Sequence, residues 1–142
     1  ADTVDSSPRM LDLARRRLAS HPVSYLHADV LRDPLPGSGY DLIVSHFFLD
    51  CFEEEDLDRL TALVVSAARP GTRWLISEFR GQGIGVAFLY WFFRVTTGLQ
   101  TRRFADHRPW LVRRGFSLTR CETAWGGRLA SELWELDPRR VY

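Results

Sequence analysis

The chain has 142 residues, 45% hydrophobic and 26% charged, enough for one globular domain with a buried core. A formal net charge of +1 supplies no global attraction to nucleic acid or to an anionic membrane. All 19 basic residues are arginine, which excludes Schiff-base lysine chemistry and a phosphate loop ending in Gly-Lys.

In chain order, ADTVD reads as the tail of a strand ending in a carboxylate, Asp5. Ser7 and Pro8 then open a helix to about Ala19, with Ser7 as N-cap and Pro8 at the first helical position. Leu11, Ala14 and Leu18 share one face of it. VSYLH (Val23–His27) reads as a short strand ending at Ala28-Asp29, and LRDPLPGSG as a loop. YDLIVSHF (Tyr40–Phe47) is a near-continuous apolar run, as expected of a strand buried on both faces. Glu53 to Asp56 suit a helix N-terminus, Leu57, Leu60, Val64 and Ala67 form its stripe, and Arg69-Pro70-Gly71 stop it. TRWLISEF is the next buried strand. A glycine-rich turn then leads into an aromatic helix, roughly Ile84 to Gly98, and a second, arginine-rich helix runs from about Asp106 to Arg114. FSLTRCETAW and RLASELWEL, joined by Gly126-Gly127, read as a terminal hairpin. Alternating strands and helices predict an α/β fold with a parallel sheet.

Two cysteines, Cys51 and Cys121, make no disulfide framework, so a reducing cytoplasm is expected. His21, His27, His46 and His107 lack ligand spacing, so no metal is expected. The most apolar run, Ile84 to Phe93, is about half of the roughly 20 residues a membrane span needs, so no transmembrane segment is expected.

Four segments, VDSSPRMLDLARRRL, HADVLRDPLPGSGYDLIVSHFFLDCF, AARPGTRWLISEF and the closing strand pair, carry a resemblance to the class I S-adenosylmethionine-dependent methyltransferases. The resemblance implies a Rossmann-like sheet, mostly parallel with an antiparallel C-terminal strand, of which this chain matches the second to seventh strands. The family's glycine-rich loop follows a central first strand that has no counterpart here, so an N-terminally truncated sequence is expected. The implied layout is one partial domain over 1–142. Residues 1–80 form its cofactor-binding part, 81–115 a helical substrate or lid element, and 116–142 the hairpin.

The resemblance also implies site residues. Asp5 matches the acid that binds both ribose hydroxyls, and a carboxylate can hold a vicinal diol with its two acceptor oxygens. Ser6 follows it, and Met10 is placed to pack on the adenine face. Asp29 and Val30 match the positions facing the adenine amino group and ring. Ser45 and His46 match the stretch lining the methionine part and the reactive methyl. His46 is the candidate catalytic base. All these residues lie at carboxyl ends of strands, where open α/β sheets bind ligands.

Each position also has a plainer reading. Asp5 serves equally as an acid satisfying helix N-terminal amides, and Asp29 as a turn residue before Leu31. His46 serves as a hydrogen-bonded structural residue. Asp50 and Cys51 line the acceptor site or begin the next helix; Glu78 faces the pocket or pairs with Arg80. The aromatic helix is core, a lid over an apolar acceptor, or a shallow membrane contact. Arg102, Arg103, Arg108, Arg113 and Arg114 hold an anionic acceptor or form a solvated face. Gly81, Gly83 and Gly85 imitate a dinucleotide loop, but no buried strand ending in an acid follows them.

The expected function is methyl transfer from S-adenosylmethionine to a small-molecule acceptor, apolar or aromatic, without nucleic acid. SHFFLD after the fourth strand lacks the N-P-P-Y pattern of amino methylation on adenine or glutamine. The rivals are a non-catalytic Rossmann-like binding module and a nicotinamide-dependent oxidoreductase.

Overall fold

A computed structural model describes residues 1–80 and 106–139. The chain forms two compact units, Ala1–Ser38 and Gly39–Tyr142.

The first unit is a strand–helix–strand. Strands β1 (Asp2–Asp5) and β2 (Ser24–His27) pair in parallel, with Asp5 opposite His27. Helix α1 (Pro8–Arg17) connects them. The Ser7 hydroxyl accepts from the Met10 amide at 3.4 Å, Pro8 opens the helix, and Arg15, Arg16 and Arg17 occupy its last turn, the end where cations suit the helix dipole. Leu11 is its buried residue.

The second unit carries a four-stranded sheet in the order β3-β4-β6-β5. Strand β3 (Tyr40–His46) leads through a single 3-10 turn (Leu49–Cys51) into helix α2 (Glu54–Ala67). Strand β4 (Ala68–Phe79) lies parallel to β3 and antiparallel to β6 (Leu129–Leu136). Helix α3 (Arg108–Arg113) precedes β5 (Phe116–Ala124), which pairs antiparallel with β6. Three strands thus run one way and the C-terminal strand runs against them, as expected. Among the described residues no helix is long and apolar enough to cross a membrane.

Two local expectations need correction. β3 is not buried on both faces: Leu42 and Val44 are about half exposed, because among the described residues β3 is an edge strand with β4 as its one neighbour. β4 starts at Ala68, not at Thr72. Pro70 and Gly71 (φ 77°) form an excursion inside the strand, between the pairs Tyr40–Ala68 and Leu42–Arg73. The buried Thr72 hydroxyl staples that excursion by accepting from the Arg69 amide at 2.8 Å and donating to the Tyr40 carbonyl. The glycine-rich turn and the aromatic helix from Ile84 to Gly98 lie outside the described residues.

The core of the second unit follows from alternation. On α2, Leu57, Leu60, Thr61, Val64 and Ala67 are buried at helical spacing. On β4 and β6, Trp74, Ile76, Ala130, Trp134 and Leu136 are buried at strand spacing, with Trp74 opposite Trp134 and Ile76 opposite Glu132. Trp74 meets Phe116 edge to face, with centroids 5.7 Å apart. Arg114 ties the end of α3 to Asp58 of α2 at 2.7 Å. The same buried sheet face carries two acids, Glu78 and Glu132, which interrupt an otherwise apolar surface.

Candidate functional site

In the first unit, Asp5 and Asp29 stand at the carboxyl ends of adjacent parallel strands, joined by a bond from the Ala28 amide to the Asp5 carbonyl at 3.2 Å. The Asp5 Oδ1 accepts from the Ser7 amide at 2.7 Å, the geometry of an acid at a helix start. His27 Nε2 donates to the Ser6 carbonyl at 3.0 Å. Met10 is exposed. Asp29 Oδ1 accepts from the Leu31 amide at 3.0 Å, and the Asp29 amide donates to Asp33 at 2.8 Å. That is the turn role, and it leaves Val30 half-buried within the turn. Asp5, Ser6, Met10, Asp29 and Val30 thus belong to one small unit.

Ser45 and His46 belong to the second unit. Ser45 is half-buried and accepts from Trp74 Nε1 at 3.0 Å. His46 closes β3 and is exposed, opposite Ser77. Phe47 then turns the chain with φ 52°, a left-handed conformation uncommon for a bulky residue. Its amide donates to Ser77 at 2.8 Å, and its ring stacks on Phe79 with centroids 4.5 Å apart.

That turn delivers the next two amides to a buried acid. Glu78, 4% exposed, accepts from Phe48 at 3.0 Å and Leu49 at 2.8 Å through Oε1. Burial, then the neighbouring Asp50 carboxylate, push its pKa up to about 8, against the opposing effect of the two amides. Glu78 is therefore largely protonated at neutral pH. Cys51 is held as a thiol: burial, then Glu78 and Asp50, raise it to about 11.

The second buried acid is the hub of a cation cluster. Glu132 Oε1 accepts from Arg80 and from Arg108 Nε (3.0 Å) and Nη2 (2.6 Å). Its Oε2 accepts from His107 at 3.1 Å and Trp134 Nε1 at 2.9 Å. Burial alone would raise its pKa, but the bonds from His107 and Trp134 and the charges on His107 and Arg80 hold it below the usual carboxylate range. Arg80 thus pairs with Glu132; Glu78 makes its bonds elsewhere. Arg108 and Arg114 are ion-paired, so for them the solvated-face reading is replaced by structural pairing. Asp106 caps α3, accepting from the Arg108 amide at 3.1 Å. Arg102 and Arg103 lie outside the described residues. Together Asp50, Glu78, Arg80, His107, Arg108 and Glu132 line a cavity of about 270 Å3, with Ile76, Phe79 and Ala130 as its apolar wall.

The two acids give opposite pH dependences. Glu78 has a folded pKa of about 8 against 4.5 unfolded, so the folded state holds an extra proton between those values. Stability falls as pH rises through that window, by on the order of a few kcal/mol at most. Glu132 is depressed, so its contribution is present above the usual carboxylate range and lost as pH falls through its folded value. Urea unfolding midpoints are expected to fall from about pH 5 to about pH 9, and Glu78→Gln is expected to flatten that fall.

A family model described as a methyltransferase domain matches residues 1–71, the first half of the chain, and the chain belongs to that family. Uncharacterized methyltransferases of Mycobacterium tuberculosis and Mycobacterium bovis are 38% identical over 63 residues, 43% of this chain and 32% of their own length. The match thus spans about a third of these curated relatives. Among solved structures, the N-methyltransferase NodS of Bradyrhizobium japonicum, in complex with S-adenosylhomocysteine, aligns with a TM-score of 0.70 at 15% identity. That alignment covers 95% of this chain and 65% of NodS. A TehB-like S-adenosylmethionine-dependent methyltransferase of Corynebacterium glutamicum aligns at 0.65 and 16% identity, covering 94% and 66%. At such identities the likeness is one of fold: the sheet is that of the Rossmann-like methyltransferases.

Proposed function

We propose that the protein transfers a methyl group from S-adenosylmethionine to a small-molecule acceptor. The observation that carries this reading is the methyltransferase-domain match over residues 1–71, the segment that holds Asp5 and Asp29. The fold shared with NodS, solved with the demethylated cofactor, supports it. When bound, the cofactor supplies an electrophilic methyl on a sulfonium centre.

Asp5 fits a ribose diol in chemistry. It is a half-buried carboxylate at a strand end, oriented through Oδ1 by the Ser7 amide, and as an acid it can accept at both oxygens. In this reading Asp29 and Val30 attend the adenine, Ser6 and Met10 flank it, and Ser45 lines the methionine part. His46 takes the acceptor proton. The chain's contribution is alignment and the exclusion of water. A cytoplasmic location goes with this reading.

Calorimetric titration of the whole protein with S-adenosylhomocysteine tests the assignment. Asp5→Ala is expected to weaken binding tenfold or more, since one charge-assisted bond is worth about 1.5–3 kcal/mol. Asp29→Ala is expected to weaken it less. An unchanged Kd for Asp5→Ala would leave Asp5 as a helix-start acid only. His46→Ala is expected to keep cofactor affinity and slow turnover about 10²–10⁴-fold. Rescue by His46→Asn would instead give His46 a positioning role.

A further inference from the structure

One peptide group in the first unit is held from both sides. The peptide joining Ser6 to Ser7 donates its N–H to Asp5 Oδ1 at 2.7 Å, and its carbonyl accepts from His27 Nε2 at 3.0 Å. A carbonyl only accepts, so the imidazole nitrogen in this bond carries a proton. His27, the peptide and the Asp5 carboxylate thus form one chain of hydrogen bonds. His27 reaches it because β1 and β2 are parallel and in register: it lies opposite Asp5, and partners across a ladder project to the same face. The Ala28 amide, bonded to the Asp5 carbonyl at 3.2 Å, fixes the two strand ends together. Helix α1 leaves this peptide alone. The amides of Met10 and Leu11 end on the Ser7 carbonyl, one residue further on. Among the described residues, the side chains of Asp5 and His27 are what orient it.

We propose that His27 is a positioning residue of the ribose site: by holding the Ser6–Ser7 peptide it sets the orientation in which the Asp5 carboxylate meets the two hydroxyls of the cofactor's ribose. The ribose rests on the methyl-transfer reading; the chain of hydrogen bonds does not. A carboxylate holds a vicinal diol only when both its oxygens face the two hydroxyls, and its terminal torsion is otherwise broad. The Ser7 amide narrows that torsion through Oδ1, which keeps a further lone-pair site, while Oδ2 takes no hydrogen bond among the described residues. His27 keeps the amide in place. A hydrogen bond at its carbonyl also polarises the peptide and strengthens the N–H as a donor.

The contact is placed to act on binding more than on folding. His27 and Ser6 are exposed, so without the imidazole water satisfies the Ser6 carbonyl and the fold is retained. Asp5 is half-buried at the strand end, and its orientation is what changes. The acids that follow β2 do not compete for the imidazole. Asp29 takes the Leu31 amide and pairs with Arg32, and Asp33 takes the Asp29 amide.

The test has two arms on the whole protein. In the first, without ligand, the Ser7 amide proton is followed by nuclear magnetic resonance. Its signal is expected at low field, to move upfield in Asp5→Ala and to move part of the way in His27→Ala. His21→Ala, which alters another exposed histidine of the same unit, is expected to leave it in place. A Ser7 signal unmoved in His27→Ala, or moved as far in His21→Ala, overturns the chain. The second arm measures the Kd of S-adenosylhomocysteine and of its 2′,3′-dideoxy analogue, which lacks both hydroxyls. His27→Ala is expected to weaken the first about three- to tenfold, less than Asp5→Ala does, and His27→Gln, whose side-chain amide donates to the same carbonyl, to regain most of the loss. The dideoxy analogue is expected to bind the unaltered protein and His27→Ala equally, and His27→Ala is expected to add nothing in an Asp5→Ala background. An unchanged Kd for S-adenosylhomocysteine, equal weakening of both ligands, or full additivity with Asp5→Ala overturns the positioning role. A protein that binds no cofactor at all strikes the methyl-transfer reading and the ribose role with it, and the amide signal still decides the hydrogen-bond chain.

Discussion

Glu132→Ala is expected to lower the unfolding free energy by about 3–5 kcal/mol, the range for removing one partner of a buried ion pair. The cause is what remains behind. Arg80 and Arg108 lose the carboxylate oxygen they share, and His107 and Trp134 lose the other. Glu132 is 2% exposed, so water cannot readily replace it. Exposed pairs such as Arg15–Asp12 offer the contrast, since Asp12→Ala is expected to cost less than about 1 kcal/mol. Urea denaturation of the three proteins at neutral pH checks both numbers. An effect of Glu132→Ala no larger than that of Asp12→Ala would mean that the cluster contributes nothing net.

Trp74→Ala is expected to cost about 3–5 kcal/mol, through lost burial and the cavity left behind. Trp74 is 1% exposed, sits opposite Trp134 across the β4–β6 ladder and meets Phe116 edge to face. Its indole N–H also holds Ser45, one residue before His46. Trp74→Phe separates the two contributions. It retains most of the ring and removes the donor, so stability is expected to drop by only about 1–2 kcal/mol. The Ser45 environment, read by a near-ultraviolet or nuclear resonance signal of the β3 end, is expected to change in both variants. Equal stabilities for Trp74→Phe and Trp74→Ala would show that the hydrogen bond, not the ring, dominates.

Much of this fold was readable because its signals are local. Ser7-Pro8 announces a helix start, the stripe of Leu57, Leu60 and Val64 announces α2, and Gly126-Gly127 announces the closing hairpin. The alternation in LASELWEL even marks Glu132 as inward-facing, since Ala130, Trp134 and Leu136 share its parity and are buried. What was not readable depends on which strands become neighbours. Arg80 and Glu132 are 52 positions apart and meet only because β6 inserts beside β4. Glu78 reaches back 30 positions to the Phe48 amide, a bond no side-chain pattern records. The exposure of Leu42 and Val44 depends on β3 having one neighbour among the described residues, which hydrophobicity along the strand cannot report.

The backbone at Phe47 restricts what evolution can write at that position. At φ 52° a β-branched side chain is sterically penalised, while glycine and asparagine enter freely. Yet glycine and asparagine both forfeit the ring that stacks on Phe79. Aromatic residues are thus the acceptable compromise, trading local strain for surface contact. In a saturation library, position 47 therefore sorts substitutions by two unrelated criteria at once. Valine and isoleucine fail on geometry, glycine fails on contact, and tyrosine passes both. Such a double filter is recognisable in a fitness map even before any reaction is assayed, because hydrophobicity alone would rank isoleucine beside phenylalanine.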